Sequence, residues 1–358
     1  MSQSVRRSAV LLAVSAISLG GIAACGANDA EGGGGGGDDG GSGKKIALLL
    51  PESQTTRYES FDKPLFEGKV AELCDDCEVL YYNADQDAAT QQQQVETAIS
   101  EDVDVMVLDP VDGEAATALV RTAQEADIPV IAYDRFIEGA DYYMSFDNET
   151  VGALQAQALV DAVPAGGNIL MLNGAPTDPN AGQFKAGAHS VLDGSNLTIV
   201  AEYDNPDWSP ENAQQFVTDQ LASIDPTTLV GVYAANDGQA GGAIAALTGA
   251  GLTTIPPVTG QDAELAAIQR ILAGEQHMTV YKPIAIEAET AAEVAVNLVN
   301  GEDVGETTDF QGVDSFIFDP IVVTAENVAD TVVADGFYSV EDICTDAYAD
   351  ACAAAGVA

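Results

Sequence analysis

Histidine is nearly missing from this chain: among 358 residues only His189 and His277 occur. Histidine is the usual general base and the commonest metal ligand near neutral pH, so both chemistries have little to build on. Neither a serine nucleophile elbow nor a Walker loop nor a zinc-ligand spacing is present. The glycine run 32–37 is not a phosphate loop, because no strand precedes it and no helix follows. Basic residues are scarce too. Twelve Lys and Arg face 57 Asp and Glu, a formal net charge of −45. That excludes a nucleic-acid surface and disfavours anionic ligands at the surface. Pairs of carboxylates are plentiful, but so many acids produce them by chance, so none marks a glycoside-cleaving site. No enzyme, cofactor or metal is expected.

No apolar run is long enough to cross a bilayer comfortably. The longest candidate, residues 9–22, follows Arg6 and Arg7 and ends at Ala23-Ala24-Cys25. Residues 1–24 therefore read as a signal peptide. Small residues before a cysteine resemble a bacterial lipobox, with Cys25 as the lipidated first residue; the alternative is plain secretion after cleavage. The Gly/Asp stretch that follows cannot pack, so 25–44 reads as a lipidated cysteine and flexible tether. Lipid plus tether places a globular body at the outer face of the cytoplasmic membrane, not within it.

Four other cysteines form two close pairs, Cys74/Cys77 and Cys344/Cys352. Outside the cell such pairs suggest disulfides. Cys344–Cys352 is expected to tie down the tail, and Cys74–Cys77 to close a small loop. A zinc site built from all four is the alternative.

The apolar pattern alternates strand and helix. Strands are expected at 45–50, 77–82, 104–108 and 129–133, with helices at about 57–73, 86–100 and 114–126 between them. After a short strand at 142–146 the alternation restarts. Strands follow at 168–172, 198–203, 229–233, 258–260 and 278–281, and a long helix at 284–300. The tail supplies short strands near 316–318 and 321–324 and a helix at about 326–334. Two successive βα halves without a letter-level repeat give an α/β chain of two Rossmann-like, doubly wound parallel-sheet lobes.

Open α/β sheets place ligand contacts at the carboxyl ends of their strands. Here those ends carry Gln54 and Arg57, Asp109, Asp134 and Arg135, then Asn173, Asp178 and Asn180, Asp207 and Trp208, Asn236 and Asp237, Gln261 and Asp262, and Lys282. Carboxylates, amides and cations exchange paired hydrogen bonds with adjacent hydroxyls. Trp208 is the sole tryptophan, and an aromatic face suits the C–H side of a sugar ring. Each has a bland alternative. Asp134/Arg135 is a turn salt bridge, Trp208 a packing residue, Asn236-Asp237 and Asp262 helix caps, and Lys282 a solvated turn.

These segments resemble a known family. Residues 132–135 (AYDR), 145–160 (SFDNETVGALQAQALV), 235–247 (ANDGQAGGAIAAL), 260–264 (GQDAE) and 278–283 (MTVYKP) are similar to the periplasmic sugar-binding proteins of bacterial ABC importers. The branch is that of the D-xylose-binding and multiple-sugar-binding proteins, and the resemblance runs from about residue 45 to 334. It implies two lobes of the type I periplasmic binding fold joined by a three-strand hinge. One lobe is 45–145 with about 283–313, the other 146–282 with about 314–352. It implies ligand contacts from Arg57, Asp134, Arg135, Asn180, Trp208, Asn236, Asp237, Asp262 and Lys282, with Trp208 as stacking platform. The first loop departs from the family pattern: Gln54 stands where a second arginine is expected.

The expected function is a lipid-anchored monomer that captures D-xylose or a related aldose and delivers it to an ABC permease and its ATPase subunit. The alternatives are a secreted carbohydrate-active enzyme and a sensor that presents sugar to a membrane receptor.

Overall fold

Strand and helix alternate through residues 43–357, the part the computed structural model describes. The expected signal peptide, Cys25 and most of the tether lie outside the described residues. Among these, no helix is long and apolar enough to cross a membrane.

The first half runs β1 (Lys44–Leu50), α1 (Lys63–Leu73), β2 (Cys77–Asn83), α2 (Ala88–Ser100), β3 (Val105–Leu108), α3 (Gly113–Gln124), β4 (Val130–Tyr133) and β5 (Tyr142–Phe146). The second half continues with α4 (Asn148–Ala162), β6 (Gly167–Asn173), α5 (Pro179–Leu192), β7 (Leu197–Asp204), α6 (Pro210–Leu221), β8 (Leu229–Ala234), α7 (Asp237–Gly249), α8 (Leu265–Leu272) and β9 (Thr279–Tyr281). Then come α9 (Ile284–Asn300), β10 (Thr308–Phe310), β11 (Val313–Phe318), β12 (Ile321–Val323), α10 (Val340–Ile343) and α11 (Ala349–Ala355).

The first sheet has the order β10-β11-β5-β4-β3-β1-β2, parallel except for the β10-β11 hairpin. Both faces of β1, β3 and β4 are buried, which explains their unbroken apolar runs. The second sheet is β7-β6-β8, all parallel. Single bridges, Val232 to Val258 and Gln261 to Val280, extend it to the β9-β12 pair. The expected strand at 258–260 is reduced to these bridges. Pro256 and Pro257 before it offer no N–H and cannot join a ladder.

The chain passes three times between the sheets. It leaves β5 for α4, returns from β9 through Pro283 to α9 against α1, and leaves again after β11, where Asp147 N bonds Phe318 O. The two sheets thus form two lobes joined by three crossing strands, the type I periplasmic binding architecture.

The tail differs from expectation. A single π-helical turn, Ala329–Val333, stands where a helix over 326–334 was expected. Strand β10 and helices α10 and α11 gave no sequence pattern, because each is shorter than two turns or four strand residues. Disulfides join Cys74 to Cys77 and Cys344 to Cys352, with Cα atoms 5.4 and 5.8 Å apart. All four sulfurs are consumed, so the four-cysteine zinc alternative fails.

Candidate functional site

The carboxyl ends of both sheets face one another across a small cavity. The loop after β1 brings Thr55, Arg57 and Tyr58, and the end of β4 brings Asp134 and Arg135. From the second sheet Asp178 and Asn180 follow β6, and Phe184 sits one helical turn further along α5. Trp208 follows β7 and Asn236 follows β8. Gln261, Asp262 and Lys282 close the ring from the irregular edge. Asp134, Trp208 and Asp262 hold φ of 56°, 63° and 88°. Left-handed backbone at non-glycine residues is costly, and its concentration here marks a site held by its surroundings.

Charges in the cavity wall are paired. Arg57 sits among three carboxylates. Its Nε and Nη2 donate to Asp62 at 3.0 and 2.6 Å, Nη2 also to Glu287 at 2.7 Å, and Nη1 to Asp134 at 3.1 Å. Tyr133 donates to Asp62 as well. Tyr58 Oη donates to Asp134 Oδ2 at 3.1 Å and accepts from Arg135 Nη2 at 3.2 Å. Arg135 Nε lies 2.9 Å from Asp178, which also accepts from Trp208 Nε1 at 3.1 Å. Lys282 pairs with Asp262 at 2.9 Å.

These pairs set the protonation pattern. Burial pushes Asp134 upward, but Arg57, Lys282 and Arg135 outweigh it and hold the carboxyl below its usual value. For Asp178, burial prevails over Arg135 and the value rises. Burial lifts Glu287 to about 8 despite Arg57.

Three contacts run directly between the sheets' loops: Arg135 to Asp178, Asn180 Nδ2 to the Asp134 carbonyl at 3.0 Å, and Gly113 N to the Thr177 carbonyl at 3.1 Å. The cleft is closed. Inside it, Asn180 Oδ1 and Gln261 Oε1 are buried and have no hydrogen-bond partner among the described residues. Buried acceptors are seldom left unpaired, so both await a donor. Asn236 Oδ1 caps α7 by accepting from Gln239 N at 2.9 Å, which leaves its Nδ2 without a protein partner among the described residues. Trp208 meets Phe184 edge-on, ring centroids 6.3 Å apart. Unpaired amides beside two aromatic rings can bind a small polyol with one apolar face.

Eight of the nine residues named from sequence line this cavity: Arg57, Asp134, Arg135, Asn180, Trp208, Asn236, Asp262 and Lys282. Asp237 does not. Its carboxylate accepts from Gln276 Nε2 at 2.7 Å, Thr279 Oγ1 at 2.9 Å and Glu264 N at 3.0 Å. Successive helical residues point about 100° apart. With Asn236 facing the cavity as N-cap, Asp237 at the first helical position turns behind it. The loop after β1 shows the same parity: Gln54 is exposed and Thr55 faces inward.

Thr55, Tyr58 and Phe184 were not named as contacts from sequence, and Asp178 and Gln261 stood among the strand-end residues but not among the expected ligand contacts. Asp178 is the N-cap of α5, bonded to Asn180 N, and that cap role hid its second task. Phe184 looked like core. Its signal was the four-residue spacing from Asn180, which puts both on one helix face. Neither histidine lines the cavity: His189 bonds Asp193 and Glu202, and His277 is exposed just before β9.

The model of the periplasmic binding protein domain matches residues 46–303. The D-xylose-binding periplasmic protein of Escherichia coli K12 is 40% identical over 309 residues, covering 84% of this chain and 92% of that protein. The multiple sugar-binding periplasmic receptor of Rhizobium radiobacter is 32% identical over 72% of this chain and 81% of its own length. Among solved structures, an ABC transporter solute-binding protein from Clostridium phytofermentans with bound β-D-glucose superposes with a TM-score of 0.77. It is 27% identical, and the match covers 84% of this chain and all of that one. The matched family and these relatives are solute-binding proteins, not enzymes. With this fold, this closed interlobe cavity and these relatives, the chain belongs to the periplasmic binding protein family.

Proposed function

We propose that this protein captures one monosaccharide, D-xylose or a related aldose, between its lobes and delivers it to an ABC sugar importer. The observation that carries the reading is the closed cavity itself. It is small, its charges are paired, and two buried amide oxygens in its wall lack partners among the described residues, beside an indole and a phenyl ring. Ring hydroxyls would supply the missing donors, and Trp208 would take the apolar face. The names of the relatives, D-xylose-binding and multiple sugar-binding, support the same class.

In this reading the contacts come from Arg57, Asp134 and Arg135 in one lobe and Asn180, Trp208, Asn236, Asp262 and Lys282 in the other. The two bodies that move are the lobes of the two sheets; the expected boundary near residue 313 shifts to after Phe318, because β11 pairs with β5 in the first sheet. The protein acts as a monomer, tethered outside the cytoplasmic membrane by a lipid on Cys25. Isothermal titration of ligand-stripped protein with D-xylose, D-glucose, L-arabinose, D-ribose and D-galactose tests the core of the proposal. Binding of an aldose is expected; no heat with any of the five overturns it. Labelling with a fatty-acid analogue, lost in Cys25→Ser, tests the anchor separately.

A further inference from the structure

The C-terminal tail touches the backs of two segments that carry cavity residues, one from each lobe. On the first, Phe61 lies in the π-helical turn Tyr58–Asp62, directly after Arg57. Its ring stacks on Phe337 with centroids 4.0 Å apart and planes 22° apart, and meets Tyr338 edge-on at 5.5 Å. On the second, Phe337 packs on Tyr281, the neighbour of Lys282, at 5.1 Å. Tyr338 and Ile343 share a buried cluster with Ala263 and Ile268, just behind Asp262.

The tail is itself fixed. Ser339 and Asp342 form a capping box, and Gln269 Nε2 of α8 donates to the Asp342 and Ile343 carbonyls at 3.3 and 3.2 Å. The Cys344–Cys352 disulfide follows at once. The aromatic pair is thus a contact between lobes, mounted on a stapled tail, that reaches both walls of the cavity from outside.

We propose that Phe337 and Tyr338 are positioning residues for the ligand cavity. They hold the Arg57–Tyr58 segment of one lobe in register with the Asp262–Lys282 edge of the other, so closure is favoured by a contact that touches no ligand. The proposal rests on the sugar-binding reading above.

Aromatic pairs of this geometry translate into about three- to tenfold in an equilibrium. Phe337→Ala should therefore weaken D-xylose binding by about that factor, mainly through faster dissociation. Phe337→Tyr, which keeps the ring, should restore it. Phe61→Ala should match Phe337→Ala, and the double variant should lose no more than either, because one contact is removed twice. Phe61→Leu gives a second reading should Phe337→Ala not fold. Unchanged affinity in folded Phe61 and Phe337 variants, independent losses in the double variant, or failure of Phe337→Tyr to rescue would overturn the proposal. Small-angle scattering of ligand-free protein separates the two readings. Phe337→Ala should be more open than the parent even if the parent takes no sugar. An absence of sugar binding then counts against the function, and an unchanged scattering profile against the positioning role.

Discussion

Gly174→Ala tests the cavity without removing a polar group. A Cβ at Gly174 would lie 2.0 Å from Cη2 and Cζ2 of Trp208 and 2.6 Å from Cζ3. Carbon atoms rest at about 3.5–4.0 Å, so the indole must withdraw by about 1.5 Å. It has nowhere easy to go. Its backbone sits at φ 63°, its Nε1 is bonded to Asp178, and Phe184 abuts its ring. Overpacking of this kind costs about 1–3 kcal/mol. The displaced ring faces the cavity, so the cost should fall on binding, as a loss of about five- to 150-fold in affinity. Gly174 itself has no left-handed φ, so the obstacle the alanine meets first is the ring and not backbone strain. Titration with D-xylose measures the loss. Emission from Trp208, the sole tryptophan, reports the displacement of the same ring. A folded variant with unchanged affinity and unchanged emission would refute the assignment of Trp208 to the cavity wall.

Asn236→Ala should lower stability by about 1 kcal/mol through the lost cap and affinity by about tenfold through the lost amide. Asn236→Ser should regain the stability but not the affinity, as read by urea denaturation and calorimetry; recovery of both would show that only the cap matters. Burial raises Asp237 to about 7, against Arg270 and Gln276, and raises Glu264 to about 8, with Asp237 and Asp262 adding. The folded protein then keeps protons that the unfolded chain has released, so the contribution of these two groups to stability is full below about pH 4 and declines as pH climbs through 7 and 8. Glu264→Gln should flatten the upper part of that decline, and an unchanged slope of urea midpoint against pH would contradict the assignment. A net charge of −45 repels itself, so the thermal midpoint should rise as sodium chloride goes from about 0.05 to 1 M and the Debye length shrinks to about 3 Å; a flat response would count against charge repulsion as a limit on stability.

Much of the architecture was legible because parallel strands buried on both faces write continuous apolar runs, and β1, β3 and β4 do so. Strand ends then located the cavity, since polar residues there have one common direction to face. What sequence could not supply was rotation. Asn236 and Asp237 are adjacent and chemically alike, yet one faces the cavity and the other Gln276 and Thr279. Double duty was equally hidden: Asp178 caps a helix, holds the Trp208 indole and pairs with Arg135 across the cleft. The tail was illegible for a different reason. Its elements are too short for periodicity, and its place is set by a disulfide and by the stack of Phe337 on Phe61, far away in the chain.

The paired charges in the cavity wall have one further consequence. Arg57, Arg135 and Lys282 are matched there by Asp134, Asp178 and Asp262, three positive and three negative. Each cation already has its anion, and an uncharged ligand displaces none of them. Filling the site therefore moves no ions between protein and solvent. The affinity should be nearly blind to ionic strength even where the stability of the fold responds to it, so that one receptor would report the same sugar concentration in dilute and in briny surroundings.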